Sequence, residues 1–556
     1  MTDSSPSGRH LRRRSLLLAG VLAPALMTAS APATADGGRA STIARAVPPQ
    51  QGADLRMRLC TDDLSHGIHL TLLGRLDGWN DTDASVFHLG IRPDGSLWWF
   101  DGLEQDSLGW TQVGAAGSVV AGRWNTLALQ SPPSMERALV YVGDHLGARP
   151  RPHELIGPMG PVGVSPVDSI TGFHVAAGGS VQIDDLTFTD GRHVTEAPPE
   201  RTFRIGDPVT VDSTAEGLMQ MPNTATVHTT ADSRQEVLVG YPVHGDATHD
   251  TGTALAASTD EGPTWSRVDE RNPYPDEQSF YLSTLSNGDL LAVSFHTFMV
   301  DGSSGTEAIV PTAVSADGGR TWTHREGTMT APTAMRPISD GTSRPGHELG
   351  GFVLVHSVQE LDGTLYQSGY GYYEEDERYR QIILASADGG ITWDVRGTIA
   401  VDPDLSDHPR YEGFSEAGIA ATRDGDLLAV MRTGNYQPLY QATSSDGGRT
   451  WTHLRQVVAG LDETPVVGVF PDLLSMPDGT VVLWIGRPGQ SLLASPDGEG
   501  RSWTSPVTVD YMNSGNGSLV PLGGNRILTV GDRGADWTPR APEVKEIWAI
   551  EAQLLL

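Results

Sequence analysis

Four stretches of this chain put ionisable side chains at spacings that could do chemistry. In FSEAGIAATRDGDLLAVMRTG, Glu416 stands just before an alternating apolar run and Arg432 ends it. In FPDLLSMPDGTVVLWIGRPG, Arg487 ends an equivalent run. Two guanidinium forks aimed from strand ends into one space would bind a carboxylate bidentately. A glutamate beside them could take a proton or stabilise a developing charge. A surface glutamate and structural arginines are the competing reading. HGDATHDTG offers Asp246 and Asp250, and loop aspartates that bind their own backbone are the alternative there. The fourth stretch, VLVHSVQELDGTLYQSGYGYYEEDERYR, holds His356, Tyr370, Tyr372 and Glu375. A tyrosine near an acid could be a nucleophile and its base, and a histidine with a tyrosine could serve a polysaccharide lyase. Aromatics that only line a cleft are the plainer reading. No metal-ligand spacing, phosphate loop or Ser-His-Asp signature occurs, so no metal and no cofactor are implied.

The elements that must position these residues come from a repeat. Five segments share the skeleton Ser-x-Asp-x-Gly-x-x-Trp: STDEGPTW from Ser258, SADGGRTW from Ser315, SADGGITW from Ser386, SSDGGRTW from Ser444, and SPDGEGRSW from Ser495 with one insertion. Their starts lie 57, 71, 58 and 51 residues apart. Asp can bond the backbone two residues on, Gly accepts positive φ, and Trp offers an apolar face for packing. A recurrence of this length suits one four-stranded blade per repeat. The pattern resembles the Asp-box, or BNR repeat, of the sialidase (neuraminidase) superfamily. The resemblance covers roughly residues 200–556 and implies a six-bladed β-propeller. The runs at 287, 362, 424, 478 and 525 read as its inner strands. FRIGDPVTVD is expected to pair with the last blade and close the ring, removing an open edge.

The resemblance also implies parts of a site. Glu416 matches the family's glutamate, and Arg432 and Arg487 match two arginines of a carboxylate-binding triad. Asp246 fits the acid/base slot. Gln220, in QMPNTATV, occupies the slot of the first arginine; Arg204, in FRIGD, is the rival assignment. Asn516, in SGNGSLVPLGGNRILTV, occupies the slot of the nucleophilic tyrosine, with Tyr511 five residues earlier. An asparagine cannot attack an anomeric carbon. The implied function is an exo-glycosidase of sialidase type that removes terminal sialic acid, or a related acidic sugar, from glycans. The two departures keep open another propeller carbohydrase, with a carboxylate pair or lyase chemistry, and a non-catalytic glycan-binding protein.

Composition bounds the rest. The 556 residues include 65 Gly and 37 Pro, with 38% hydrophobic and 19% charged residues, which suits a turn-rich all-β protein of two or more domains. Residues 1–35 read as a twin-arginine type signal peptide: Arg12–Arg14, an apolar run, and Ala33-Thr34-Ala35 as the cleavage site. The protein is expected to be secreted, with no membrane span after cleavage. Removing four arginines and one aspartate moves the formal charge from −31 to −34. That surface argues against nucleic-acid binding. An acidic glycan would need a local basic site. Cys60 is the only cysteine, so no intrachain disulfide forms. Residues 36–50 read as a linker. Residues 51–195 read as a β-sandwich that loosely resembles a concanavalin or laminin-G jelly roll. Its Trp98, Trp99 and Trp110 could stack on a sugar, and Asp184-Asp185 could bind calcium or simply end a strand.

Overall fold

The computed structural model describes residues 41–556 except 77–83, 101–109, 115, 132, 134–138, 143–144, 149–166, 178, 194–201, 231–232, 246–249, 339–346, 407–409, 435–436, 461–463, 487–489, 505, 511–514 and 534–543. The signal segment and residues Asp246, Arg487 and Tyr511 lie outside the described residues. Among the described residues the chain is built almost entirely of strands, and no helix is long and apolar enough to cross a membrane. It divides into two units, Met1–Pro199 and Glu200–Leu556.

The first unit holds two antiparallel sheets. One, six-stranded, runs in the order Ser41–Gln50, Val167–Ala177, Ile68–Leu76, Ala84–Ile91, Leu97–Phe100, Trp110–Gly114. The other, five-stranded, runs Gln182–Thr189, Ala53–Cys60, Asn125–Ser131, Leu139–Val142, His145–Ala148. Ala53, Leu55, Met57 and Leu59 alternate inward and share one core with Leu70, Leu72, Phe87, Leu89 and Phe173 of the facing sheet. The expected linker at 36–50 is corrected here. Residues 41–50 form a strand whose Ile43 packs on that core, so their apolar alternation outweighs their small, Pro-containing composition. Trp98 lies under the Arg92 guanidinium at 3.6 Å.

Among its described residues, the second unit repeats a four-stranded pattern six times, with two of the copies joined. The first sheet is Thr224–Thr229, Gln235–Pro242, Thr253–Ser258, Ser266–Arg267. The second is led by Phe280–Thr284, the third by Leu349–Leu361, the fourth by Ser415–Ala421, the fifth by Val469–Ser475 and the sixth by Ser518–Gly523. The second and third are joined into one nine-stranded sheet through His296–Met299 and a parallel pairing of Thr323–Thr330 with Thr392–Ala400. Phe203–Ile205 and Val209–Thr214 pair antiparallel with Lys545–Leu554, as the sequence led us to expect.

Apolar cores lie between consecutive sheets. Leu238 and Leu255 meet Leu282 and Leu290; Leu291 meets Phe352; Ile383 meets Leu427; Leu428 meets Leu483; Trp484 meets Trp548. The sixth sheet packs in turn on the first, through Leu528 and Val530 against Val237 and Val239. The leading strands touch their neighbours, including the sixth with the first. The runs read from sequence as inner strands are therefore the second strands of their sheets. Both strands are apolar, and sequence alternation alone does not rank them by depth.

The five Asp-boxes share one bonding pattern. In the fourth box, Ser444 Oγ donates to Asp446 Oδ1, the N–H of Gly448 to Ser444 Oγ, and the N–H and hydroxyl of Thr450 to the two Asp446 oxygens. The Thr450 bonds pull the Asp446 carboxyl down to about 2. Each box tryptophan packs on the core between its own sheet and the preceding one: Trp265, Trp322, Trp393, Trp451 and Trp503. The motif is a hairpin clasp with an inter-sheet wedge.

Candidate functional site

Side chains on the leading strands tie neighbouring sheets together. The N–H of Leu282 donates to Thr224 Oγ1 at 2.7 Å, that of Val358 to Ser283 Oγ at 2.7 Å, and that of Ala225 to Ser518 Oγ at 3.1 Å. Carboxylates replace hydroxyls at two of these places. Phe470 N–H donates to Glu416 Oε2 at 3.0 Å, and Leu519 N–H to Asp472 Oδ2 at 3.1 Å.

The backbone there is irregular. His356, Glu416 and Phe470 have positive φ of 64°, 43° and 47°, each at a register shift in its leading strand. Such bulges re-aim side chains, and left-handed φ in large residues stores strain that packing must offset. Phe470, Val469, Val355 and Tyr281 form a small cluster with Tyr370 and Phe295 that joins the second, third and fifth sheets.

Around this cluster the charges are tightly engaged. Arg432 ends the second strand of the fourth sheet. Its Nη1 donates to Glu416 Oε1 at 2.7 Å, and its Nη2 lies 3.2 Å from Glu412 Oε2. Arg432 Nε is buried without a partner. The sequence brought Glu416 and Arg432 to one place, but this arginine already faces two carboxylates. Asp472, with 13% side-chain exposure, lies 3.4 Å from His356 Nδ1. Burial pushes the Asp472 carboxyl up to about 7, against backbone N–H bonds from Leu519 and Leu473 and a bond from Ser518. Burial lowers His356 to about 3, so the imidazole is neutral and the pair is not an ion pair at ordinary pH. The His356 ring is tilted 42° to the Phe470 ring, with their centroids 4.2 Å apart. Tyr281 and Tyr370 are raised well above the phenol range, first by burial and then by the Glu416 charge.

Other residues singled out from sequence fall elsewhere. Gln220 is fully buried and its amide donates to the His244 carbonyl at 2.6 Å. Arg204 bonds Gln553 on the outermost strands. Asn516 donates to Asn223 Oδ1 at 2.7 Å, and Asn223 in turn to Ser279 Oγ. Asp250 and Glu375 are exposed. Tyr370 does stand with Glu416 and Arg432. Sequence reading passed over Asp472 and Tyr281. A lone acid inside the apolar run VFPDLLS was the available signal.

Residues 294–519 match the BNR repeat-like domain family. The chain is 29% identical over 263 residues to a sialidase of Micromonospora viridifaciens, covering 44% of this chain and 38% of that protein. It thus spans well under half of that relative. Among solved structures it resembles a Penicillium chrysogenum alpha-L-arabinanase complexed with arabinobiose, at 16% identity and a TM-score of 0.44, over 62% of this chain and 98% of that one. It also resembles a variant of the NanB sialidase from Streptococcus pneumoniae, at 13% identity and a TM-score of 0.41, over 90% and 95% of the two chains.

Proposed function

We propose that residues 200–556 form a six-bladed β-propeller and act as a secreted glycoside hydrolase, with Glu416 and Asp472 as a carboxylate pair on a neutral sugar ring. The cycle of inter-sheet cores supports the propeller. One observation carries the chemistry: two carboxyl groups from adjacent leading strands stand in different environments. Glu416 is ion-paired with Arg432, while Asp472 is held near neutrality by burial. Groups whose environments differ in this way divide acid from charge-stabilising roles. Asp472 gives its proton to the leaving glycosidic oxygen. Glu416 stabilises the positive charge that grows at the anomeric carbon. Water adds to that carbon and its proton returns to Asp472.

The ring is neutral because Arg432 is matched by Glu412 and Glu416 together. Among the described residues two carboxylates face this one guanidinium, and that balance supports a neutral ring over a sugar carboxylate. A second reading is a sialidase in which Tyr370, beside Glu416, replaces the missing tyrosine of the sixth sheet; the sialidase relative favours it. Turnover of aryl pentosides, hexosides, uronides and a sialoside separates the two. Cleavage of a neutral glycoside that is lost in Asp472→Asn supports the first reading. Cleavage of the sialoside alone, lost in Tyr370→Phe, supports the second.

A further inference from the structure

Next to the carboxylate pair lies a connected run of aromatic rings that ends on an unpaired cation. Tyr370 meets Tyr379 edge to face at 5.1 Å, and Tyr379 meets Tyr372 at 4.8 Å with planes 33° apart. The Arg336 guanidinium stacks on Tyr372, 4.1 Å from the ring centroid. The run is fixed to the site at its inner end. Tyr379 N–H donates to the Glu412 carbonyl and Phe414 N–H to the Tyr379 carbonyl, and Glu412 is a partner of Arg432. At its outer end Arg336 N–H donates to the Tyr372 carbonyl, which sets the guanidinium over the ring. Arg336 is exposed, and among the described residues no carboxylate lies within ion-pair distance of it.

The chain carries a formal charge of −31, and the neighbouring Arg380 is clasped by Asp376. Arg432 is likewise matched by acids. An arginine whose guanidinium carbon lies over a tyrosine ring can still present N–H groups away from it, which suits bidentate bonding to an oxyanion. Tyr372 and Tyr379 are half-buried and hold the guanidinium beside the site.

We propose that Arg336, Tyr372 and Tyr379 form a second sugar subsite, which binds a glycan residue bearing an anionic substituent, a carboxylate or a sulfate. The inference rests on the active-site reading above only for its position: the neutral ring sits at Glu416 and Asp472, and the charged residue sits beside it, toward Arg336. The acidic partner expected from sequence is thereby met by a local cation at a neighbouring subsite.

The test is binding, measured apart from turnover. D-glucuronic acid, its methyl ester, D-glucose and D-glucose 6-sulfate are titrated by calorimetry or ligand-observed NMR into the full chain and its variants. The wild-type protein should bind glucuronate or the 6-sulfate at least about ten-fold more tightly than the methyl ester and glucose, the scale of a charge-assisted pair. The tighter of the two assigns carboxylate or sulfate. Arg336→Ala, with an unchanged melting temperature, should erase the preference, and Arg336→Lys should restore only part of it. Equal binding of acid and ester by wild type, or a preference that survives Arg336→Ala, overturns the subsite. Loss of the catalytic reading instead appears as full turnover in Asp472→Asn, a result independent of these titrations.

Discussion

Arg432 holds Glu416 at 2.7 Å from one amino group and faces Glu412 at 3.2 Å from the other. All three charges sit at the end of one β-hairpin and the loop before it. Both amino groups of this arginine are thus engaged by carboxylates of its own chain. Its side chain is 14% exposed, as is that of Glu416. Arg432→Ala would leave two acids facing each other in a poorly hydrated place. Removing one partner of such a pair should destabilise by about 3 kcal/mol. Chemical denaturation of wild type and variant checks this; a change below about 0.5 kcal/mol would mean the pair is solvated.

Asp472 gives a stability change with pH. Its folded-state value, about 7, lies above the ordinary 3.8. The folded protein therefore keeps a proton that the unfolded chain releases. The stability from this group is fully present below pH 4 and is lost as pH rises toward and through 7, up to about 4 kcal/mol. Asp472→Asn should flatten that part of the stability–pH curve. An unchanged slope in the variant would show that Asp472 titrates normally.

Turnover should follow the same group in the same direction. A proton donor must be protonated, so kcat should fall as pH rises through about 7. Asp472→Asn should lower kcat by about two to four orders of magnitude and remove that limb. A profile limited only on its acid side would assign the donor elsewhere.

The Asp-boxes should behave as structure. Trp393 is 1% exposed and wedged between the second and third sheets. Trp393→Ala should cost roughly 3–5 kcal/mol, and Asp317→Ala should loosen the turn that it clasps through Ser315 and Thr321. Both variants should keep their affinity for ligand while folded. A variant with its full melting temperature but no activity would contradict this assignment.

Export is expected to end at Ala35. Protein collected outside the cell should begin near Asp36 by mass spectrometry, and a mature chain that retains residues 1–35 would contradict it.

Much of the second unit was legible because its signal repeats. Five boxes announce five hairpins, and the Ser–Asp–Gly–Thr bonding pattern is local enough to be written in eight residues. Glu416 and Arg432 were legible for a similar reason: they bracket one hairpin, so sequence separation fixes their meeting. Asp472 was harder. Its role depends on Leu519, 47 residues away, on His356 of another sheet, and on the amount of water left around it. None of these is set by neighbouring residues. Gln220 was placed by motif spacing alone. Its spacing from the first Asp-box suggested a substrate contact, whereas the structure shows its amide donating to the His244 carbonyl. The strand at 41–50 was masked by composition, since its partner lies more than a hundred residues later.

The most direct test of the central claim is the initial rate of hydrolysis of a panel of neutral aryl glycosides, beside a sialoside, by wild type, Glu416→Gln and Asp472→Asn at pH 6. The account predicts turnover of at least one neutral glycoside by wild type and a loss of about a hundred-fold or more in each variant, with substrate binding retained. Full activity in both variants, or turnover of the sialoside alone, would contradict the carboxylate pair.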